Sequence, residues 1–207
     1  MKGETIFLVD DDPDVLDAVS FLLSTEGYRM ETFDTPAALL ERVTPADAGC
    51  LVLDVRLPEM NGLELQGALH ERGVHMPIVF ITGHGDIPMA VKAVNAGAMD
   101  FLEKPFDDDK LLEVVGQGLE RDRERRELAA RRAAIEGALD SLTPREREVM
   151  EEILRGKLNK IIAADLDMSV RTVEVHRARV LEKLGARNGS DMVRLVLSSE
   201  RYQGWSP

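Results

Sequence analysis

Five times in its first half the chain repeats one pattern: a short segment with strand signals, then a segment with helical signals. The clearest instance is Cys50-Leu51-Val52-Leu53-Asp54-Val55-Arg56-Leu57-Pro58-Glu59-Met60-Asn61-Gly62. Four apolar residues lead into a carboxylate, and Pro58 and the Asn61-Gly62 pair follow within eight residues, which reads as a buried strand ending in a turn. Thr5–Val9 likewise runs into Asp10-Asp11-Asp12, where Asp12 before Pro13 caps a helix carrying Val15, Val19, Leu22 and Leu23. Gly27 ends that helix, residues 28–33 alternate as a strand, and Thr35-Pro36 opens a second helix through Val43. A third helix holds Leu65 and Leu69, and a fourth strand, 77–82, is closed by Thr82 and the loop Gly83-His84-Gly85. A fourth helix near 89–95 stops at Gly97, and Asp100–Glu103 makes a fifth strand before Lys104-Pro105-Phe106. Strands alternating with helices predict a doubly wound parallel α/β sheet.

In open parallel sheets ligands bind beyond the carboxyl ends of the strands, where the loops surround a crevice. Asp54 sits at such an end. Taken alone it has two readings, a cap for a turn or the next helix, which is the commoner role of a lone Asp after a strand, or a reactive carboxylate. Other strand ends bear on the choice: Asp10 and Asp11, Thr82 and Lys104 reach the same edge. Three neighbouring carboxylates repel, and a divalent cation is one remedy. Hard oxygen ligands suit magnesium better than zinc, for which the four scattered histidines show no ligand spacing. Beside such a cation a carboxylate can act as nucleophile toward a phosphoryl donor, with the Lys104 charge and the Thr82 hydroxyl available to phosphoryl oxygens.

Val9-Asp10-Asp11, Leu53-Asp54, Leu57-Pro58 with Asn61-Gly62, Ile81-Thr82-Gly83 and Lys104-Pro105-Phe106 together resemble the receiver domain of response regulators over residues 1 to about 120. The resemblance implies a flavodoxin-like (βα)5 fold in which Asp54 is phosphorylated. It implies that Asp10, Asp11, Asp54 and the Arg56 backbone carbonyl hold Mg2+, for which Mn2+ can substitute. It also implies that Thr82 and Lys104 contact the phosphoryl group, that Phe101 follows the position of Thr82, and that the Lys104-Pro105 bond is cis. The triple Asp leaves a one-residue ambiguity, taken here as Asp10 and Asp11 for the metal and Asp12 for the helix cap. Phosphatases of the haloacid dehalogenase type use a similar nucleophile but place a second Asp two residues on as the acid and base. Arg56 holds that position here, so the general acid is missing.

A net charge of -12 over 207 residues argues against nucleic acid as a partner, but its distribution argues otherwise. Residues 1–118 hold 8 basic and 22 acidic side chains, 119–140 hold 6 and 6, and 141–207 hold 12 and 10. An acidic first part at -14 and a last part at +2 suggest two domains with different partners. The one cysteine, Cys50, rules out an internal disulfide framework and reads as a buried thiol in a reducing compartment. The first residues show no signal-peptide pattern, and no apolar run approaches the roughly 18 residues a membrane helix needs, so a cytoplasmic protein without membrane contact is expected.

The domain partition expected is 1–118, a helical linker 119–140, and 141–207. The linker has alternating charges and no proline. Leu128, Ile135 and Leu142 recur every seven residues but the apolar seam breaks across 122–126, so a solvated connector and a coiled coil both remain open. Thr143-Pro144-Arg145-Glu146 is a capping box with Pro at the first helical position. The helix it opens carries Val149, Met150, Ile153 and Leu154, and a short helix from Asn159 to Leu166 follows. The turn Asp167-Met168-Ser169 then leads into a helix through Leu184 that is rich in Arg171, Arg177, Arg179 and Lys183. Two helices so closely joined make a helix-turn-helix; a helical bundle with a solvated basic face is the alternative.

Leu142-Thr143-Pro144-Arg145-Glu146, Asn159-Lys160-Ile161-Ile162-Ala163 and Thr172-Val173-Glu174-Val175-His176-Arg177, with Lys183-Leu184 beyond, resemble the LuxR-type DNA-binding domain. With the receiver in front, the chain is similar to the FixJ branch of the NarL-like response regulators. That implies an all-α domain of four helices, with Glu174, Val175 and Ala178 facing base edges of double-stranded promoter DNA. Lys160, Arg171, Arg177 and Arg179 would meet phosphates, with Thr172 and Lys183 beside them. His176 reads as a packing or backbone-contact residue. The last helix, near 190–197, is available for dimer contact. The partners implied are a sensor histidine kinase, a second copy paired through the fourth helix and fifth strand of the receiver, and RNA polymerase. A slow autodephosphorylation, rather than turnover of an external substrate, is expected. A receiver that signals without phosphorylation is the alternative.

Overall fold

The computed structural model describes residues 4–83 and 87–205, without the side chains of 87–89. The five expected strands are parallel, β1 Thr5–Val9, β2 Arg29–Phe33, β3 Gly49–Asp54, β4 Ile78–Thr82 and β5 Asp100–Glu103, in the order β2-β1-β3-β4-β5. The central strands β1, β3 and β4 are buried at every residue. That is why they read as unbroken apolar runs, since both faces of an inner parallel strand are covered. The edge strand β2 has no fully buried residue, as suits a half-solvated edge.

Four helices connect the strands: α1 Pro13–Thr25, α2 Pro36–Arg42, α3 Gly62–Glu71 and α4 Ile87–Asn95. Period-two alternation sorts the core into two layers. Phe7, Leu51, Leu53 and Phe80 pack with Leu39, Leu65 and Leu69 on one face. Ile6, Leu8, Val52 and Ile81 pack with Val19, Leu23, Leu111 and Val115 on the other. Asp12 caps α1, accepting from the Asp14 N–H at 2.9 Å. The expected loop Gly83-His84-Gly85 falls, from His84 on, outside the described residues.

One local expectation changes. The Asn61-Gly62 pair does not make the turn after β3; Asn61 is the N-cap of α3 in a capping box with Glu64, and Glu59 takes the left-handed conformation, φ 67°. Gly62 is needed for space, because a Cβ there would lie 2.5 Å from the Asp54 carbonyl oxygen and 2.8 Å from the Phe80 ring. The α3 start is thereby seated directly against the end of β3.

After β5 a single helix of 33 residues, α5 Asp108–Asp140, runs on. The first compact unit extends along it to Arg126 and the second begins at Glu127. Within the first unit Asp122 is buried, accepting from the Gly49 N–H at the start of β3 (3.1 Å) and pairing with Arg125 at 2.6 Å. Arg123 forks onto Glu4, at 3.1 and 3.0 Å. The break in the apolar seam is therefore a polar tie to the end of the sheet opposite the strand-end carboxylates.

The second unit contains α6 Pro144–Leu154, α7 Asn159–Asp165, α8 Val170–Lys183, α9 Gly189–Leu197 and a 3-10 turn, Glu200–Tyr202. Its core joins Leu139 and Leu142 to Val149, Met150, Ile162, Val173, Val180, Met192 and Val196, with Ile135 packed against it. Two of the three heptad residues thus serve this core, while Leu128 is exposed. A coiled coil would have to do without them. The turn between α7 and α8 is closed by Asp167 in the left-handed region, φ 51°, and by the Met168 N–H donating to the Ala163 carbonyl at 2.8 Å. Among the described residues no helix is long and apolar enough to cross a membrane.

Candidate functional site

The sheet order reverses between β1 and β3, so their carboxyl ends flank a crevice. Asp10, just beyond β1, and Asp54, the last residue of β3, are buried there, and Asp11 beside them is exposed. Oxygens of these three carboxylates lie within 4.8 Å of one another. Lys104, after β5, donates to Asp10 Oδ2 at 2.5 Å, and its ammonium is 3.8 Å from Asp54 Oδ1, too far for a hydrogen bond. The other Asp10 oxygen accepts from the Asp12 N–H at 3.0 Å. Asp54 Oδ1 is buried and has no hydrogen-bond partner among the described residues. Burial pushes the Asp54 carboxyl above its ordinary range; the Lys104 charge opposes this, and Asp10 and Asp11 add to it.

Thr82 ends β4 and is buried, its carbonyl accepting from the Lys104 N–H at 2.7 Å, so the hydroxyl-bearing residue and the lysine are tied backbone to backbone. The Lys104-Pro105 bond is cis. Phe101, in β5, is half-buried against the core. The Arg56 side chain, two residues past Asp54, is exposed. The donor set fits a hard divalent cation: it consists of carboxylate oxygens, and one of them is buried with its hydrogen-bonding capacity unused. Cys50, in the same strand as Asp54, is fully buried, and burial pushes its thiol up to about 12, which leaves it an inert core residue.

In the second unit Ser169 caps α8, accepting from the Thr172 N–H at 3.0 Å. Arg171, Thr172, Glu174, Val175, Ala178 and Arg179 are all exposed on this helix, while Val173 and Val180 are buried on the opposite side. Lys160 is exposed on α7.

A family model for the response regulator receiver domain matches residues 6–116, and one for bacterial regulatory proteins of the luxR family matches residues 140–196. The chain belongs to the response regulators. It joins a receiver to a LuxR-type DNA-binding domain. The chain is 43% identical to the response regulator protein TodT of Pseudomonas putida, over 94% of this chain and 86% of that protein. It is 42% identical to the transcriptional regulatory protein FixJ of Azorhizobium caulinodans, over 93% of this chain and 91% of that one. Among solved structures it resembles response regulator StyR, with a TM-score of 0.87 and 44% identity over 94% of this chain and 98% of that one. Full-length FixJ from B. japonicum follows with a TM-score of 0.60 and 40% identity over 95% and 97%.

Against this response-regulator framework, the receiver residues expected from the sequence converge on one edge. Two of the DNA-contact candidates do not stand with the others. The Lys183 ammonium donates to Glu146 Oε2 at 2.7 Å and to the Ser141 carbonyl at 2.8 Å. Arg177 is half-buried and donates to Asn159 Oδ1 at 3.1 Å. Both cations have partners inside the DNA-binding domain. His176 is half-buried, and its Nδ1 is buried with no hydrogen-bond partner among the described residues, which suits packing. Asp122 and Glu146, which anchor charge inside the two units, were not singled out by sequence as buried groups. Glu146 carries a signal in the capping box; Asp122 carries none amid alternating charges.

Proposed function

We propose that this response regulator accepts a phosphoryl group on Asp54 from a sensor histidine kinase and, once phosphorylated, pairs and binds promoter DNA. The observation that carries the reading is the buried Asp54 oxygen without a hydrogen-bond partner, set among Asp10, Asp11 and Lys104. Asp10, Asp11 and Asp54, with the Arg56 carbonyl, would hold Mg2+ or in its place Mn2+, whose charge neutralises phosphoryl oxygens. Asp54 attacks phosphorus in line with the leaving nitrogen of the kinase histidine. Lys104, released from Asp10, and the Thr82 hydroxyl then bind the new phosphoryl oxygens. Phe101 follows Thr82 inward, and the surface of α4 and β5 changes. The aspartyl phosphate hydrolyses slowly, so the receiver switches rather than turns over.

The partition proposed is a receiver at 1–118, a linker at 119–140 and a DNA-binding domain at 141–207. Receivers pair through α4 and β5. In each DNA-binding domain α8 enters the major groove, with Glu174, Val175 and Ala178 at base edges. Lys160, Arg171, Thr172 and Arg179 sit at phosphates, while Arg177 and Lys183 lie beside them with internal partners. RNA polymerase is the further partner, and the cytoplasm the compartment. The test is to incubate the protein with acetyl phosphate and Mg2+ and weigh it. One phosphoryl adduct, mapped to Asp54 and absent without the metal, is expected; an adduct elsewhere, or none, overturns the reading.

A further inference from the structure

The start of α7 lacks the usual means of fixing itself. Its N-cap is Leu158, which offers no side-chain hydrogen bond and is 75% exposed. A helix of seven residues without a cap is weakly held at that end. Yet Lys160, a phosphate candidate, sits in that first turn. What holds the turn comes from another helix: the Arg177 guanidinium of α8 donates from Nη1 to Oδ1 of Asn159, the first residue of α7, at 3.1 Å.

The other edge of the same guanidinium explains Gly189. A Cβ built on Gly189, the first residue of α9, would lie 2.6 Å from Arg177 Nη2. Gly189 is not among the residues with a left-handed φ, so its backbone does not demand glycine. A side chain there would instead displace the guanidinium, which lies in that space. Arg177 thus reaches from the middle of α8 to the starts of both α7 and α9. These residues also line a single concavity of about 910 Å³ together with Lys160 and Val170.

We infer that Arg177 is a positioning residue for DNA binding: its planar fork, bonded to the Asn159 side chain and seated in the space that the missing side chain of Gly189 leaves, sets the first turn of α7, and with it Lys160, against α8. The inference rests on the reading of α7 and α8 as the DNA-contacting face. A lysine does not reproduce this fork, since a point charge on a flexible stem can reach Asn159 but does not at the same time fill the space beside Gly189 with a planar group. A phosphate-neutralising role would be satisfied by either cation.

The experiment titrates the full-length chain, treated with acetyl phosphate and Mg2+, onto a mixed-sequence duplex at several salt concentrations. Wild type, Arg177→Lys, Arg177→Gln and Gly189→Ala are compared, with far-UV circular dichroism on each. Gly189→Ala removes no charge and meets only the movable end of a long side chain, so it keeps the domain folded and carries the test even if an Arg177 variant does not fold. All three variants are expected to lose affinity by about tenfold, with the wild-type salt slope retained. Wild-type affinity in Arg177→Lys, with a slope shallower by about 0.9 in Arg177→Gln, would make Arg177 a phosphate contact and overturn the inference. Wild-type affinity in Gly189→Ala would overturn it as well. Failure of the wild-type protein to bind any duplex would instead overturn the DNA-contact reading, and the inference with it.

Discussion

Two buried carboxylates, one in each half of this response regulator, are treated in opposite ways. In the receiver, Asp54 has an oxygen without a hydrogen-bond partner and its carboxyl is pushed upward by burial, while the nearest ammonium is committed to Asp10. In the DNA-binding half, Glu146 is as buried but accepts from the Lys183 ammonium and the Thr143 N–H, which hold its carboxyl at about 2. The Arg187 N–H and the Arg194 side chain hold Asp191 at about 2 as well. A carboxylate with its lone pairs engaged is a structural part; one left short is costly and marks a place where something else binds. Both halves fasten themselves with charge, at Asp122 and at Glu146, but the receiver also keeps unspent charge at its reactive edge.

The sharpest test of that contrast is Asp54→Asn. It should abolish the phosphoryl adduct entirely while leaving receiver stability unchanged or raised by up to about 1 kcal/mol, because the variant removes a crowded buried charge and leaves no charge unpaired. Mass spectrometry and a thermal melt read the two outcomes. A melt lowered by several degrees would mean that Asp54 is a structural carboxylate after all, and the contrast would collapse.

A second effect lies at the junction. Leu139 is fully buried in the second core, Asp140 pairs with Arg201 at 2.7 Å, and Arg147 donates to the Leu139 carbonyl at 2.8 Å. A fragment 141–207 lacks these groups, and a fragment 127–207 keeps them. The shorter one should be less stable by about 3–5 kcal/mol, the usual cost of losing a buried leucine with its neighbours, as read from urea unfolding of both. Equal stabilities would place the end of α5 outside the second unit.

Third, the charge asymmetry predicts how the halves influence one another. A receiver at -14 tethered to a DNA-binding part at +2 has little attraction for DNA as a monomer. Pairing two such chains on one duplex makes the second contact intramolecular and raises avidity by about 10². Phosphorylated full-length protein and fragment 127–207 should therefore both bind more tightly than unphosphorylated full-length protein at one fixed salt. Equal affinity in all three would show that the receiver exerts no restraint.

Much of this was legible from residue order. Strand-end residues are local: Asp10, Asp54 and Thr82 each close an apolar run and Lys104 follows a short strand directly, and parallel topology alone brings their ends together. Caps are local too, so Asp12, Thr143 and Ser169 could be read from their neighbours. What escaped depends on partners far along the chain. Lys183 looks like a DNA contact until Glu146, 37 residues away, is seen to hold it. Arg177 meets Asn159 at a separation of 18. Asp122 lies in a run of alternating charges that reads as solvated, and only its bond to Gly49, 73 residues earlier, reveals a buried tie. The heptad of Leu128, Ile135 and Leu142 advertised a partner helix, because periodicity reports an apolar face without reporting what covers it.

The smallest effect predicted concerns the Glu146–Lys183 pair, and its sign with pH follows from the direction of the shift. The folded carboxyl sits at about 2, below its ordinary 4.5. Between those values the unfolded chain binds more protons than the folded one, so this contribution to stability is fully present above about 4.5 and is lost as the pH falls toward about 2. Glu146→Gln keeps the size of the side chain but removes the ion pair with Lys183 and makes the bond from the Thr143 N–H a neutral one. At neutral pH it should cost about 2 kcal/mol, and Lys183→Ala, which removes the other end of the pair, should cost a similar amount. As the pH falls from 4.5 toward about 2, with Glu146 taking up its proton first in the unfolded chain and only near 2 in the folded one, the melting temperatures of wild type and Glu146→Gln should converge. The residual acid sensitivity of the variant then belongs to groups such as Asp191, whose carboxyl is held low by its own partners. Thermal melts of fragment 127–207 and its Glu146→Gln form between pH 7 and 2.5 read this directly. Parallel curves across that window would show that the pair adds nothing, and the claim that this half fastens itself with charge would fail at its best-buried example.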